Sequence, residues 1–303
     1  MRNRCSASGR KAISPVDSFG ATVSFLGLLF CGALGMDSAI LERAFFEARL
    51  KINRAARHID EAQHHFSAYT QTDFCNVVED TDTEPGQQII RAVAAPIPAD
   101  LVLSIGDAFH CMSAALDYVS SGLMRAKTGS ATRITFPSDE FRNSLRKSFM
   151  APKSGKKTPP NRRIMEAFPL IAFELLTVIQ PYKGGNFGIW EIRKADNIDK
   201  HNLIIPSVTI TELRGVSYVD EVRNNSVTGM TLRLGAGGTI NAISYGGGSK
   251  LKLTQKGQAT ARITFPDTSE IFAGNPVFPT LIQSVQLVAQ TIERIEIIAR
   301  KYT

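Results

Sequence analysis

The sequence predicts an α+β protein: a bundle of long antiparallel helices, a small antiparallel β-meander, and a C-terminal helix that returns to the bundle. Three observations predict it. Apolar residues from Leu41 to Phe66 recur at alternating four- and three-residue spacing, the period of a helix with one buried stripe. From Leu203 to Phe265 the pattern turns to β-branched and alternating runs broken by glycine clusters, the pattern of strands and turns. From Pro279 the four-three spacing resumes to the end of the chain. The predicted organisation is an N-terminal extension over 1–35, a helical region over 36–202 with a β-hairpin near 74–98, a β-rich region over 203–278, and the closing helix over 279–303.

In order along the chain, residues 1–35 stand apart. A basic start (Arg2, Arg4, Arg10, Lys11) leads into an apolar run from Ala21 to Leu34, the outline of a secretory signal. That run is too short to span a bilayer, and no integral membrane span is expected. Met36-Asp37-Ser38 opens the first amphipathic helix with a good N-cap, which favours Met36 as the start of the working chain. The four cysteines lack a C-x-x-C spacing and fit a reducing compartment. The expected location is therefore cytoplasmic, with export as the alternative if 1–35 is a genuine signal.

The first helix carries Leu41, Phe45, Ala48, Ile52, Ala55, Ile59, Ala62 and Phe66 on its seam. His58, Glu61 and His65 lie beside that seam, with solvent exposure weighed above metal ligation. Asp80 to Gly86 carries turn chemistry between two short apolar runs, hence the hairpin. Asp100, after Pro96 and Pro98, is placed as the cap of a second long helix reaching about Arg125. Its core face is Ile105, Ala108, Met112, Ala115, Leu116, Val119 and Leu123. Asp107, His110, Ala114, Asp117 and Ser121 form an opposite, polar stripe, which either faces water or lines a polar seam against a further helix. A capped helix over 138–149, a loop over 151–160 and a third long helix over 162–179 follow. A short helix over 187–200 then ends in the charge-dense segment Asn197-Ile198-Asp199-Lys200-His201. Five strands are expected over 203–211, 227–234, 239–245, 250–253 and 259–265, with the glycine clusters and Lys256-Gly257 as hairpin turns.

The 303-residue chain is long enough for one large or two ordinary domains, and its 43% hydrophobic and 21% charged content is that of a globular protein. The net charge of +7 is unevenly spread: residues 125–163 hold eleven Lys or Arg against Asp139 and Glu140. Such a patch suits a phosphate-bearing partner, and its plain alternative is a solvated loop region. There is no G-x-S-x-G, no H-E-x-x-H, no phosphate-binding glycine loop and no dinucleotide fingerprint, so neither a metal nor a cofactor is called for. The candidate catalytic residues are His201, His110, Asp117 and Asp199, histidine being the usual general base near neutral pH. Candidate binding residues are Lys200, Asn197, Arg142, Arg146, Lys147, Arg162 and Arg163.

The strings Ile105-Gly106-Asp107-Ala108-Phe109-His110, Ala114-Ala115-Leu116-Asp117, Phe136-Pro137, Gln180-Pro181-Tyr182 and Asn197-Ile198-Asp199-Lys200-His201-Asn202 occur in that order. Together they resemble a family of uncharacterised bacterial proteins that typically read IGDALHNLRSALDH, FPI, QPY and NIDKHR, over about residues 36–205. Within that family the string RSALDH is similar to the R-x4-H motif of HEPN helical proteins, many of them metal-independent ribonucleases of toxin–antitoxin and phage-defence systems. The resemblance implies a His acting as acid or base and an Arg stabilising charge on the phosphorane. This chain departs from the motif at Ser113 for the Arg, Tyr118 for the His and Cys111 for the Asn. Asp107, His110, Asp117, Asp199, Lys200 and His201 remain, as a different site or as a structural network.

The leading expectation is a bacterial or phage-associated protein that binds nucleic acid, a nucleotide or another polyanion through residues 125–163. The rival is a nucleic-acid-processing hydrolase, and the plainest alternative is a polar seam that only joins two halves of the fold. A homodimer through the amphipathic helices is a further expected partner.

Overall fold

The computed structural model describes residues 35–81, 88–129, 134–152, 158–185, 187–233 and 250–303, with backbone only at 79–81, 88–91 and 187. The expectations on 1–34, on the hairpin turn at 82–87, on strand 239–245 and on the glycine clusters at 235–238 and 246–248 lie outside the described residues.

Helix α1 (Ser38–Gln71) begins where Asp37 accepts hydrogen bonds from the backbone N–H groups of Ala39 and Ile40, both at 3.0 Å. This side-chain cap satisfies two donors that the first helical turn cannot. At 34 residues α1 runs roughly 50 Å. A hairpin, β1 (Cys75–Thr81) with β2 (Gln88–Ala94), leads into α2 (Ala99–Thr128). No side chain caps α2: Pro98 holds the N-cap position, and Asp100 lies in the first turn instead of preceding it. The end of α2 returns to the start of α1, where the Asp37 N–H donates to the Ala126 carbonyl at 2.9 Å.

The two helices lie close because their facing residues are small. A Cβ on Gly122 would stand 2.1 Å from the Cβ of Ala44, so only glycine allows this approach. Below that crossing, Phe45, Ile59, Ile105, Met112, Leu116 and Val119 are buried in the main core.

Helices α3 (Arg142–Met150) and α4 (Pro160–Ala167) are short. The long helix expected over 162–179 is broken. Phe168 sits at φ −139° and ψ 67°, because the following Pro169 excludes it from the helical region. The chain restarts as α5 (Pro169–Glu174), which winds into a π-helical turn over Leu175–Ile179. Helix α6 (Phe187–Asp199) then packs on α2.

After Pro206 the chain enters β3 (Ser207–Asp220), a 14-residue strand that organises the larger sheet. β4 (Asn225–Arg233) pairs along one edge of β3. β5 (Leu251–Gln255) and β6 (Gln258–Thr264) pair one after the other along its other edge. The strands are antiparallel, as expected, but the order is not a simple meander. Lys256-Gly257 is not a hairpin turn: Gln255 lies opposite Ser217 and Gln258 opposite Arg214, so one edge continues across a bulge. Gly257 makes the bulge feasible. Its φ is +76°, and a Cβ there would come within 2.5 Å of the Arg214 carbonyl oxygen.

The sheet and the β1–β2 hairpin enclose a second core of Phe74, Val77, Ile210, Leu213, Val216 and Leu251, capped by Tyr69 from the end of α1. Helix α7 (Val277–Ala299) closes the chain and returns to pack on α1 and α2, as its four-three spacing predicts. Within the described residues α2 alone is long and apolar enough to cross a membrane, and 67% of that stretch is buried inside the protein. It is a core helix.

Candidate functional site

The polar stripe of α2 meets α6. His110, Ser113 and Asp117 recur at i, i+3 and i+7 on α2, and Arg193, Asp196 and Lys200 do the same along α6 and its C-terminal end, so each triplet forms one face. The two run in opposite directions. His110 Nδ1 lies 2.9 Å from Asp196 Oδ1, and Lys200 Nζ donates to Asp196 Oδ2 at 2.8 Å. Further along, Arg193 Nη1 donates to Asp117 Oδ1 at 2.7 Å, to Ser113 Oγ at 2.8 Å and to the Ser113 carbonyl at 3.3 Å. Asp117 Oδ1 also accepts the Phe136 N–H at 2.7 Å, which ties in the segment after α2.

Asp196 is the centre of this seam. Only 5% of it is exposed, whereas the His110 side chain is 52% exposed. Burial pushes the Asp196 carboxyl up, but hydrogen bonds from Lys200, Ser113 and His110 outweigh it and hold the group below its ordinary value. It is thus a buried anion that orients an exposed imidazole. With Nδ1 engaged, Nε2 is the ring atom left for a ligand.

Asp199, three residues after Asp196, also faces α2. Its carboxylate stands over Gly106, so close that a Cβ on that residue would be 2.4 Å from both oxygens. Oδ1 is buried without a hydrogen-bond partner. Burial raises its pKa; the Ile204 N–H opposes this, and the nearby charges of Asp107 and Asp196 add to it.

A cavity of about 470 Å³ opens beside the seam, lined by residues of α1, α2 and the end of α6. Ala44, Ala114 and Gly122 are among its lining residues. Lys51, Tyr118, Arg125 and Lys200 also line it, with Glu47, Asp117 and Asp196 as the acids. Each acid is matched: Glu47 by Arg43 at 2.8 Å, Asp117 by Arg193, and Asp196 by His110 and Lys200. Among the described residues, Lys51 and Arg125 have no carboxylate partner. The Lys51 ammonium instead sits over the Tyr118 ring, 5.8 Å from its centroid. The stripe of α2 therefore lines an open cleft.

The expected seam of His110, Asp117, Asp199 and His201 forms with different partners. His110 and Asp117 are brought to α6, but they meet Asp196 and Arg193, which precede the expected Asp199 and His201 by one to two turns. His201 and Asn197 are exposed and do not line the cavity; the His201 N–H closes the helix end on the Ile198 carbonyl. Arg142, Arg146 and Lys147 are exposed on α3, away from the cavity lining. Arg162 is committed within the fold, to Glu166 Oε1 at 2.8 Å and the Ala151 carbonyl at 2.9 Å, and Arg163 is half-buried. His58 is not solvent-facing. It is buried, with Nδ1 at 2.7 Å from Glu61 and Nε2 accepting from Arg54 at 3.0 Å. Among the described residues no cluster of His, Cys, Asp or Glu has the makings of a metal site.

Sequence reasoning missed Asp196 as the partner of His110 and Arg193 as the partner of Asp117. The signal was present: with Lys200 they repeat at i, i+3 and i+7, complementary to the triplet on α2. Comparison with protein-family models, curated proteins and solved structures finds no match for this chain.

Proposed function

We propose that this protein binds a phosphate-bearing partner, a nucleic acid or a nucleotide, in the cleft along α2. The observation that carries the reading is the charge balance of the cavity: each carboxylate in its lining has a cationic partner, whereas Lys51 and Arg125 do not have an anionic one among the described residues. Arg125 opens the basic stretch 125–163, to which the exposed Arg142, Arg146 and Lys147 add further positive charge. Fluorescence anisotropy with labelled mixed-sequence RNA tests this. Binding is expected at low salt and weakens as salt rises, and Lys51→Ala and Arg125→Ala each reduce the salt slope by about one. No binding at low salt, or a slope unchanged in the double variant, overturns the reading.

A second reading, a hydrolase of the phosphodiester bond, is favoured by the His110–Asp196 contact. A buried carboxylate on Nδ1 fixes the imidazole so that Nε2 can take a proton from an attacking hydroxyl, such as the 2′-hydroxyl of RNA. In that case labelled RNA is cleaved by the purified protein, His110→Ala abolishes cleavage, and Asp196→Asn weakens it. Cleavage lost in His201→Ala but kept in His110→Ala would falsify this assignment.

A further inference from the structure

We infer that the ligand of this cleft is a single strand of nucleic acid, with Tyr118 as the platform on which one base stacks. The inference rests on the phosphate-binding reading above and narrows it.

Three observations point the same way. Tyr118 is 40% exposed on a helix that otherwise buries most of its large side chains, and it lines the cavity near mid-length. The Lys51 ammonium sits over its ring, and the exposed part of the ring is what a planar ligand would meet. His110, Ala114, Tyr118, Gly122 and Arg125 follow one another at four- and three-residue steps along the same side of α2, so the lined groove spans roughly 22 Å at the helical rise. That is an extended track with Lys200 and His110 near one end, Arg125 at the other, and an aromatic ring between. Cations that follow a backbone, interleaved with an exposed aromatic, are the means by which proteins hold unpaired strands. A duplex keeps its base faces stacked inside and offers only edges and phosphates, so Tyr118 would add nothing to its binding. A base-free polyanion likewise has nothing to place on the ring. The cavity of about 470 Å³ is of a size suited to one such group at a time.

The experiment compares a short labelled single strand, the duplex of the same sequence, and inorganic polyphosphate, each against the full chain and its Tyr118→Leu and Tyr118→Phe variants. The single strand is expected to bind at least about tenfold more tightly than the duplex or polyphosphate. Tyr118→Leu is expected to lose about tenfold in single-strand affinity with the salt slope unchanged, and Tyr118→Phe, which keeps the ring, to bind as the unaltered chain does. Equal affinity for strand, duplex and polyphosphate, or no loss in Tyr118→Leu, overturns the single-strand inference and leaves the phosphate reading standing. Absence of binding to all three probes overturns both.

Discussion

The carboxylate of Asp199 occupies the volume that a side chain on Gly106 would need, 2.4 Å from the site of a Cβ. This contact brings α6 onto α2 one turn from the His110–Asp196 pair. Gly106→Ala is expected to destabilise the protein by about 1–3 kcal/mol, because a short, partly buried carboxylate must swing aside or the helices must part. Asp199→Ala in the same chain is expected to relieve most of that loss. The readout is the urea midpoint of the single and double variants. Losses that simply add would show that the two residues do not share the space.

Arg193 and Asp117 hold the structural half of the seam. Their side chains are 17% and 22% exposed, and Asp117 also accepts the Phe136 N–H. Asp117→Ala strips the guanidinium of its carboxylate partner and the Phe136 amide of its acceptor, with an expected cost of about 2–3 kcal/mol. In Arg193→Met the charge itself is gone, so adding Asp117→Ala to that variant should cost less than it does in the unaltered chain. A double-mutant cycle by chemical denaturation checks this, and a coupling near zero would show the pair to be independent.

Glu191 gives the fold a dependence on pH. It is 5% exposed on α6 and accepts the Phe272 N–H at 3.2 Å. Burial pushes its carboxyl up to about 7, against the opposing influence of that N–H and of Lys183. Its folded pKa lies above its unfolded value, so the native state holds the proton more tightly. The stability this supplies is present below the unfolded pKa of about 4.3 and is lost as pH rises through about 7. Glu191→Gln, a neutral mimic of the protonated form, is expected to raise the melting temperature at pH values above about 7 and to flatten the decline seen across the preceding interval. A constant offset between the two proteins at all pH values would contradict this.

Much of the helical half was legible in local pattern. The seam of α1, its Asp37 cap and the return of α7 follow from apolar spacing and one capping residue. The break at Phe168 was also written in the chain, since Pro169 forbids the helical conformation just before it; the strong apolar stripe over 162–179 hid it. The role of Lys256-Gly257 was not legible. A bulge and a hairpin turn both ask for glycine at positive φ, and only the pairing of Gln255 and Gln258 along one strand distinguishes them. In the site, His110 and Asp117 were readable as a polar stripe on α2. Their partners were not, because Asp199, Lys200 and His201 drew attention by density, whereas Arg193 and Asp196 matter by helical phase. The buried state of His58 was hidden for a similar reason: its partners Arg54 and Glu61 lie on its own helix, and a self-contained polar group can be covered without any sign in the apolar pattern.

Helix α1 carries Phe45 and Ile59 in the bundle core and Tyr69 in the core beneath the sheet, where the Tyr69 hydroxyl donates to the Ala95 carbonyl at 2.6 Å. One uninterrupted rod of hydrogen-bonded backbone is therefore a structural member of both cores. Melting of the bundle removes that shared member, and the β-rich part in turn supplies Ile263 and Phe265 to the bundle core. The dependence runs both ways, so the two cores are expected to melt in one transition.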